Sequence, residues 1–170
     1  MLKLILRGLK KEQVESRHIK GNAVYYHERT LATLQYNEND EVIFLIDPQL
    51  EMSQYEVIRE AILQITAGKD ITIDESECQL GYLQNGESAH LIRNWEPWKE
   101  FLMKARLRTL EGQNVIVKNE EGEDLDNGLL AEYATAENPF RITSCTVITI
   151  FGERKYEGES LVVEPTNQFS

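Results

Sequence analysis

What is scarce in these 170 residues removes more readings than what is abundant. Cysteine occurs twice, at Cys78 and Cys145, with no Cys-x-x-Cys pair and no Cys/His ligand spacing, so neither a zinc site nor a disulfide framework is expected. Both are read as free, partly buried thiols, and neighbouring acids should keep Cys78 from ionising. Histidine occurs three times, at His18, His27 and His90, without a His-x-x-x-His or His-Glu-x-x-His spacing, which leaves no metal set. No Gly-x-Ser-x-Gly elbow and no Gly-Lys-Ser/Thr phosphate loop is present. The chain is therefore expected to be no enzyme, with no catalytic residues, metal or cofactor. No apolar run approaches the ~20 residues that span a bilayer. The segment Met1-Leu2-Lys3-Leu4-Ile5-Leu6-Arg7 is too short in its apolar part for a signal-peptide core and reads as a first strand. A cytoplasmic protein with no membrane partner is expected.

Positive charge is the other shortage. Eighteen Lys and Arg face 29 Asp and Glu, for a net charge of −11, and the excess is uneven: residues 1–20 carry +4, 21–96 carry −10, 97–118 carry +3 and 119–170 carry −8. Affinity for nucleic-acid backbones comes from Lys and Arg neutralising phosphates, so RNA is disfavoured as a partner. The hydrophobic fraction of 41% is that of an ordinary folded protein, enough to bury a core without staples. The length suits one domain or two small ones.

Apolar and turn-forming residues divide the first half into strands and one helix. Ala23 to His27 and Thr30 to Tyr36, rich in β-branched and aromatic residues, are predicted to pair as a hairpin around Glu28-Arg29. Val42-Ile43-Phe44-Leu45-Ile46 is a continuous apolar strand ended by Asp47-Pro48. Ser53 and Glu56 have the spacing of a capping box. Val57, Ile58, Ala61, Ile62 and Ile65 then repeat at helical intervals until Gly68, predicting an amphipathic helix that covers the sheet. Ile71-Thr72-Ile73 is a short strand, and Asp70, Asp74, Glu75 and Glu77 read as a solvated acidic loop, their spacing being wrong for calcium. Asn85-Gly86 marks a further hairpin between residues 79–83 and 89–92.

A second helix is predicted from Pro97, with Trp98, Phe101, Leu102 and Ala105 on one stripe and Gly112 as its stop. Beyond it comes a run of strands: Val115-Ile116-Val117, Gly128 to Tyr133, a long third from Phe140 to Phe151 and a last short one at Leu161-Val162-Val163, with a polar turn at Glu120-Glu121-Gly122-Glu123. The expected class is α+β. Residues 1–93 form a mostly antiparallel sheet with one covering helix, 94–111 a connecting helix, 112–165 a small β-barrel and 166–170 a flexible tail.

The helix feeding into Glu111-Gly112-Gln113-Asn114-Val115-Ile116-Val117-Lys118, the turn at Glu121-Gly122 and the run Asp126-Asn127-Gly128-Leu129-Leu130-Ala131-Glu132-Tyr133 resemble the opening of Sm-like domains, whose architecture is SH3-like. The stretch Phe151 to Val163 is similar to that family's final pair of short strands. The resemblance covers residues 100–165 and none of 1–93. It implies a bent five-stranded sheet and an RNA-binding ring subunit. Its acid-then-asparagine element falls on Glu132 and Asn138, and the glycine of its second motif on Gly158.

Three functional classes follow. The first is a non-catalytic interaction or assembly protein with a protein partner or a second copy of itself. The second is the RNA-binding ring implied by the resemblance. The third is an acidic nucleic-acid mimic or inhibitor that binds a basic partner through Glu120, Glu121, Glu123, Asp124 and Asp126. Trp95 serves equally as a binding anchor or as a packing group, whereas Trp98 lies on the apolar stripe of its helix. His27-Glu28-Arg29 with Asp47 offers acid–base groups but no nucleophile, so a hairpin tip is the simpler reading.

Overall fold

Strand β1 (Leu2–Arg7) buries Leu4 and Leu6 and leaves the residues between and beside them partly exposed, the two-residue period of a strand with one covered face. The computed structural model describes residues 1–166, and the chain divides into two compact units, Met1–Lys99 and a second that begins at Glu100. The tail expected at 166–170 lies, Thr166 excepted, outside the described residues.

In the first unit a single 3-10 turn (Lys11–Gln13) follows β1. Strands β2 (Ile19–Lys20), β3 (Ala23–Tyr26), β4 (Arg29–Asn37) and β5 (Glu41–Ile46) then pair in succession. With β6 (Thr72–Glu77) they form an antiparallel sheet of order β2-β3-β4-β5-β1-β6. The β3–β4 hairpin turns on His27 and Glu28, one residue earlier than expected. Both have positive φ, as a two-residue turn matched to the strand twist requires. Val42, Phe44 and Ile46 of β5 are fully buried.

Helix α1 (Met52–Thr66) packs against β3 and β4 through Ile58, Ala61, Ile62 and Ile65. Its cap lies before the predicted Ser53–Glu56 box: Gln54 Oε1 accepts the Glu51 backbone N–H at 3.0 Å. The N-terminal sheet and its covering helix are as the sequence predicts. The acidic segment does not loop out, because Asp74 to Glu77 continue β6 along β1. Strands β7 (Gln79–Tyr82) and β8 (Ser88–His90) form a separate hairpin.

Helix α2 (Trp95–Leu110) starts two residues before Pro97 and crosses the division between the units. Trp95 and Trp98 are buried in the first unit, with ring centroids 5.5 Å apart. In the second unit Leu107 and Leu110 are the buried helix residues, while Phe101, Leu102 and Ala105 of the expected stripe are half-buried.

Strands β9 (Asn114–Lys118), β10 (Asp124–Ala136), β11 (Arg141–Thr149) and β12 (Gly152–Pro165) complete the second unit. Antiparallel pairing runs from β9 to β10 to β11 to β12 and returns to β9. Val115, Val117, Leu130, Cys145, Val147 and Val163 fill the core with the two helix leucines.

This four-stranded ring corrects the expectation of a small Sm-like or SH3-like β-barrel, and with it the C-terminal half of the expected fold class. The resemblance implied five strands, the last two short. Residues 152–165 instead form one continuous strand. Glu157 pairs with Ser144 and Leu161 with Ile142, so the extra residues around Gly158 are taken up as an irregularity within β12 and no turn breaks it.

Candidate interaction site

Between β11 and β12 the chain turns on Ile150 and Phe151. Turns ordinarily carry Gly, Pro, Asn, Asp or Ser, and here two large apolar side chains occupy one instead. The flanking residues make the turn feasible. Thr149 pairs with Gly152 in the ladder, its Oγ1 donates to the Gly152 carbonyl at 3.1 Å, and it accepts the Phe151 N–H at 3.0 Å. Gly152 has φ of 104°, a conformation that suits a residue without Cβ. Ile150 is 94% exposed and Phe151 77%.

The apolar surface extends down the adjoining strands. Ile148 lies directly opposite Leu129 of β10, and both are exposed. One glycine-dependent approach and a group of polar contacts hold this end of the ring together. At Gly128 a Cβ would stand 2.5 Å from the Ile148 carbonyl oxygen, so β10 can pass β11 there only without a side chain. On the neighbouring strand the Arg154 guanidinium lies 5.4 Å from the Phe151 ring centroid. Tyr156 donates its hydroxyl to Asp126 Oδ2 at 2.6 Å, and Arg154 Nη1 is 3.5 Å from the same oxygen. The Tyr156 hydrogen bond holds the Asp126 carboxyl below its ordinary range, and the same bond, which only the protonated phenol can donate, raises Tyr156.

Comparison with protein-family models, with curated proteins and with solved structures finds no match.

The residues singled out by sequence are dispersed. Trp95 is a core residue, 2% exposed. Glu132 is exposed on β10, opposite Thr146. Three do meet, since Glu120, Asn138 and Gly158 line one broad, open cleft together with Arg141 and Glu159. Among the acids, Glu120, Glu121 and Glu123 sit on the exposed β9–β10 turn, which is pinned by Asn119 Oδ1 accepting the N–H groups of Glu121 and Glu123. Asp124 lies 3.8 Å from Lys118, and Asp126 is engaged as described.

Groups weighed for acid–base or metal chemistry are taken up elsewhere. Asp47 accepts from the Gln49 N–H at 2.8 Å and from Arg29 Nη2 at 3.0 Å, and the backbone hydrogen bond is the main reason its carboxyl is lowered. The His27 ring lies against Tyr26, with centroids 4.1 Å apart. Asp74 accepts from the Ser76 hydroxyl and N–H and pairs with Arg7, and Glu75 accepts the N–H groups of Ile92 and Arg93. Among the described residues no three His, Cys, Asp or Glu side chains gather as metal ligands. Burial, and secondarily Glu75, pushes the Cys78 thiol up to about 12, and burial raises Cys145 as well. No helix among the described residues is long and apolar enough to cross a membrane.

Sequence reasoning missed Ile150 and Phe151 because they close an apolar run that reads as strand. Thr149 and Gly152 are the available signal: a hydroxyl that can cap a turn and a residue free to take positive φ, two positions either side of the break.

Proposed function

We propose that this chain is a non-catalytic protein-interaction protein that engages its partner through the β11–β12 turn. The observation that carries the reading is the exposure of Ile150 and Phe151 side by side at a turn, continued by the Leu129–Ile148 pair. Burying a side chain of this size is worth about 1.5–3 kcal/mol, so a partner pocket that took both would gain from the contact most of what a weak complex needs. The charge of −8 over residues 119–170 sets the sign of the surroundings, and a partner with basic groups around an apolar pocket would be steered toward them.

The test is a parallel capture experiment with the wild-type chain and the double variant Ile150→Ser/Phe151→Ser, accompanied by size-exclusion chromatography with light scattering. A protein held by the wild type and lost by the variant, or a self-associated species that the variant dissolves, is the expected result. A strict monomer that captures nothing overturns the reading. RNA affinity that falls steeply with salt would move it to nucleic acid.

A further inference from the structure

A cavity of about 240 Å³ lies in the second unit between the C-terminal half of α2 and strands β11 and β12. Leu107, Leu110, Ile142 and Leu161 supply much of its apolar lining, and Arg106 and Arg141 add two guanidinium-bearing side chains. An apolar cavity with a few polar groups is the usual form of a small-molecule site.

The charges around it are not balanced. Glu164 is the lining acid, and Lys118 pairs with it at 3.1 Å. Glu100 on α2 and Glu137 on the β10–β11 turn are both taken by Lys104, at 3.1 Å each. Arg141 Nη1 donates to the carbonyls of Glu137 and Pro139, at 3.2 and 2.9 Å, which fixes the side chain without neutralising it. Two cations that no carboxylate among the described residues engages thus border an apolar space, in a chain whose net charge is −11.

We infer that this cavity binds a small amphipathic carboxylate, its head on Arg106 and Arg141 and its tail against the leucines and Ile142. Guanidinium groups hold carboxylates by short, charge-assisted and often paired hydrogen bonds, which an alcohol of the same shape cannot replace. The size limit follows from the volume. With ~30 Å³ per liquid water and benzene held by an engineered cavity of about 150 Å³, the space suits roughly eight to ten non-hydrogen atoms. A medium-chain fatty acid or an arylalkanoate is of that size. The site is separate from the Ile150–Phe151 turn and does not depend on it.

The test is a titration of the isotope-labelled full chain with octanoate and, separately, with 1-octanol, followed by amide chemical shifts. The inference expects saturable shifts centred on residues 103–110, 140–142 and 160–164, with octanoate bound at least about tenfold more tightly than octanol, the scale of one charge-assisted contact. Arg106→Gln, an exposed position, should keep the spectrum of the folded chain and lower octanoate affinity about tenfold while leaving octanol unchanged. Met103→Trp, placing a larger side chain in the lining, should weaken both ligands. Absence of saturable shifts up to the solubility of octanoate, shifts centred elsewhere, or equal affinity for acid and alcohol each overturns the inference.

Discussion

The two units solve the same problem in different ways. A β-sheet must end somewhere, and an unpaired edge invites another strand. The six-stranded sheet of the first unit leaves edges at β2 and β6. Strand β2 is only two residues long, and β6 carries Asp74, Glu75 and Glu77, so one edge is short and the other charged. In the second unit β12 returns to β9 and the ladder has no outer strand. Strand addition through backbone hydrogen bonds is blunted in the six-stranded sheet and has no outer strand to act on in the ring. A partner of the kind proposed would therefore have to be met by side chains, and the two most exposed large apolar ones on any turn among the described residues, Ile150 and Phe151, lie between β11 and β12.

The largest expected effect tests where the sheet's strength lies. Phe44 has no exposed surface and sits on β5, paired on one side with β1 and on the other with β4. Phe44→Ala should remove about 3–5 kcal/mol, the lost transfer energy plus that of the void. Both tryptophans belong to this unit, so urea unfolding followed by their fluorescence reads the loss directly. A change below 1 kcal/mol would mean that the sheet's core is redundant at its centre.

The ring should instead fail at a glycine. A Cβ at Gly128 meets a backbone oxygen at 2.5 Å, which no rotamer relieves, whereas one at Gly158 meets only the movable end of Leu161 at 3.1 Å. Gly128→Ala is expected to cost about 1–3 kcal/mol, as overpacking does, and Gly158→Ala distinctly less. Hydrogen exchange at β10 and β11 amides measures both. Equal costs would show that the ring tolerates displacement of its strands where β10 crosses the end of β11.

These two units also differed in how readable they were. Residues 42–46 are apolar without interruption and Val57 to Ile65 repeat at helical spacing, so burial on a sheet and its covering helix followed from period alone. In β12 the first half, Gly152-Glu153-Arg154-Lys155-Tyr156-Glu157-Gly158-Glu159, has no apolar alternation to declare a strand. It is a strand because β11 pairs with it, and pairing over that distance leaves little local trace. The acidic residues 74–77 resemble a loop in sequence for the same reason, since an edge strand can expose charges that a central strand cannot. The half of α2 that belongs to the ring followed suit: period marked Phe101, Leu102 and Ala105, but contact with the strands selects Leu107 and Leu110. Trp95 suits a surface anchor and a core group equally by residue type, and only the packing around it makes it core. The Ile150–Phe151 site was hidden by the very hydrophobicity that makes it a candidate.

A smaller effect should come from acid at the β6 edge. The Ser76 hydroxyl and N–H, then Arg7, hold the Asp74 carboxyl down to about 2. The unfolded chain ionises Asp at about 3.9, so Asp74 contributes stability above that pH and loses it as pH falls through about 2. Thermal unfolding between pH 5 and pH 2, an estimated window of roughly three units spanning both values, should steepen in this range, and Asp74→Asn should flatten that slope. The double variant Asp74→Asn/Glu77→Gln, which leaves Glu75 as the acid of β6, should also expose a less charged edge, seen in light scattering as a mass that rises with concentration. A variant that remains monomeric would assign the blunting of that edge to something other than charge.

The smallest effect on stability is expected where the effect on binding is largest. Ile150 and Phe151 contribute almost nothing to the ring's core, and the contact with Arg154 at an exposed aromatic is worth only about 0.5–1 kcal/mol. Ile150→Ser/Phe151→Ser should therefore shift stability by no more than about 1 kcal/mol, with Thr149 and Gly152 still closing the turn. Core substitutions lower stability and association together, because they remove the folded surface. A variant that kept the unfolding midpoint and lost association would separate surface from scaffold. If instead the midpoint fell by several kcal/mol, the two side chains would belong to the packing of the ring, and their exposure would no longer mark a place for a partner to dock.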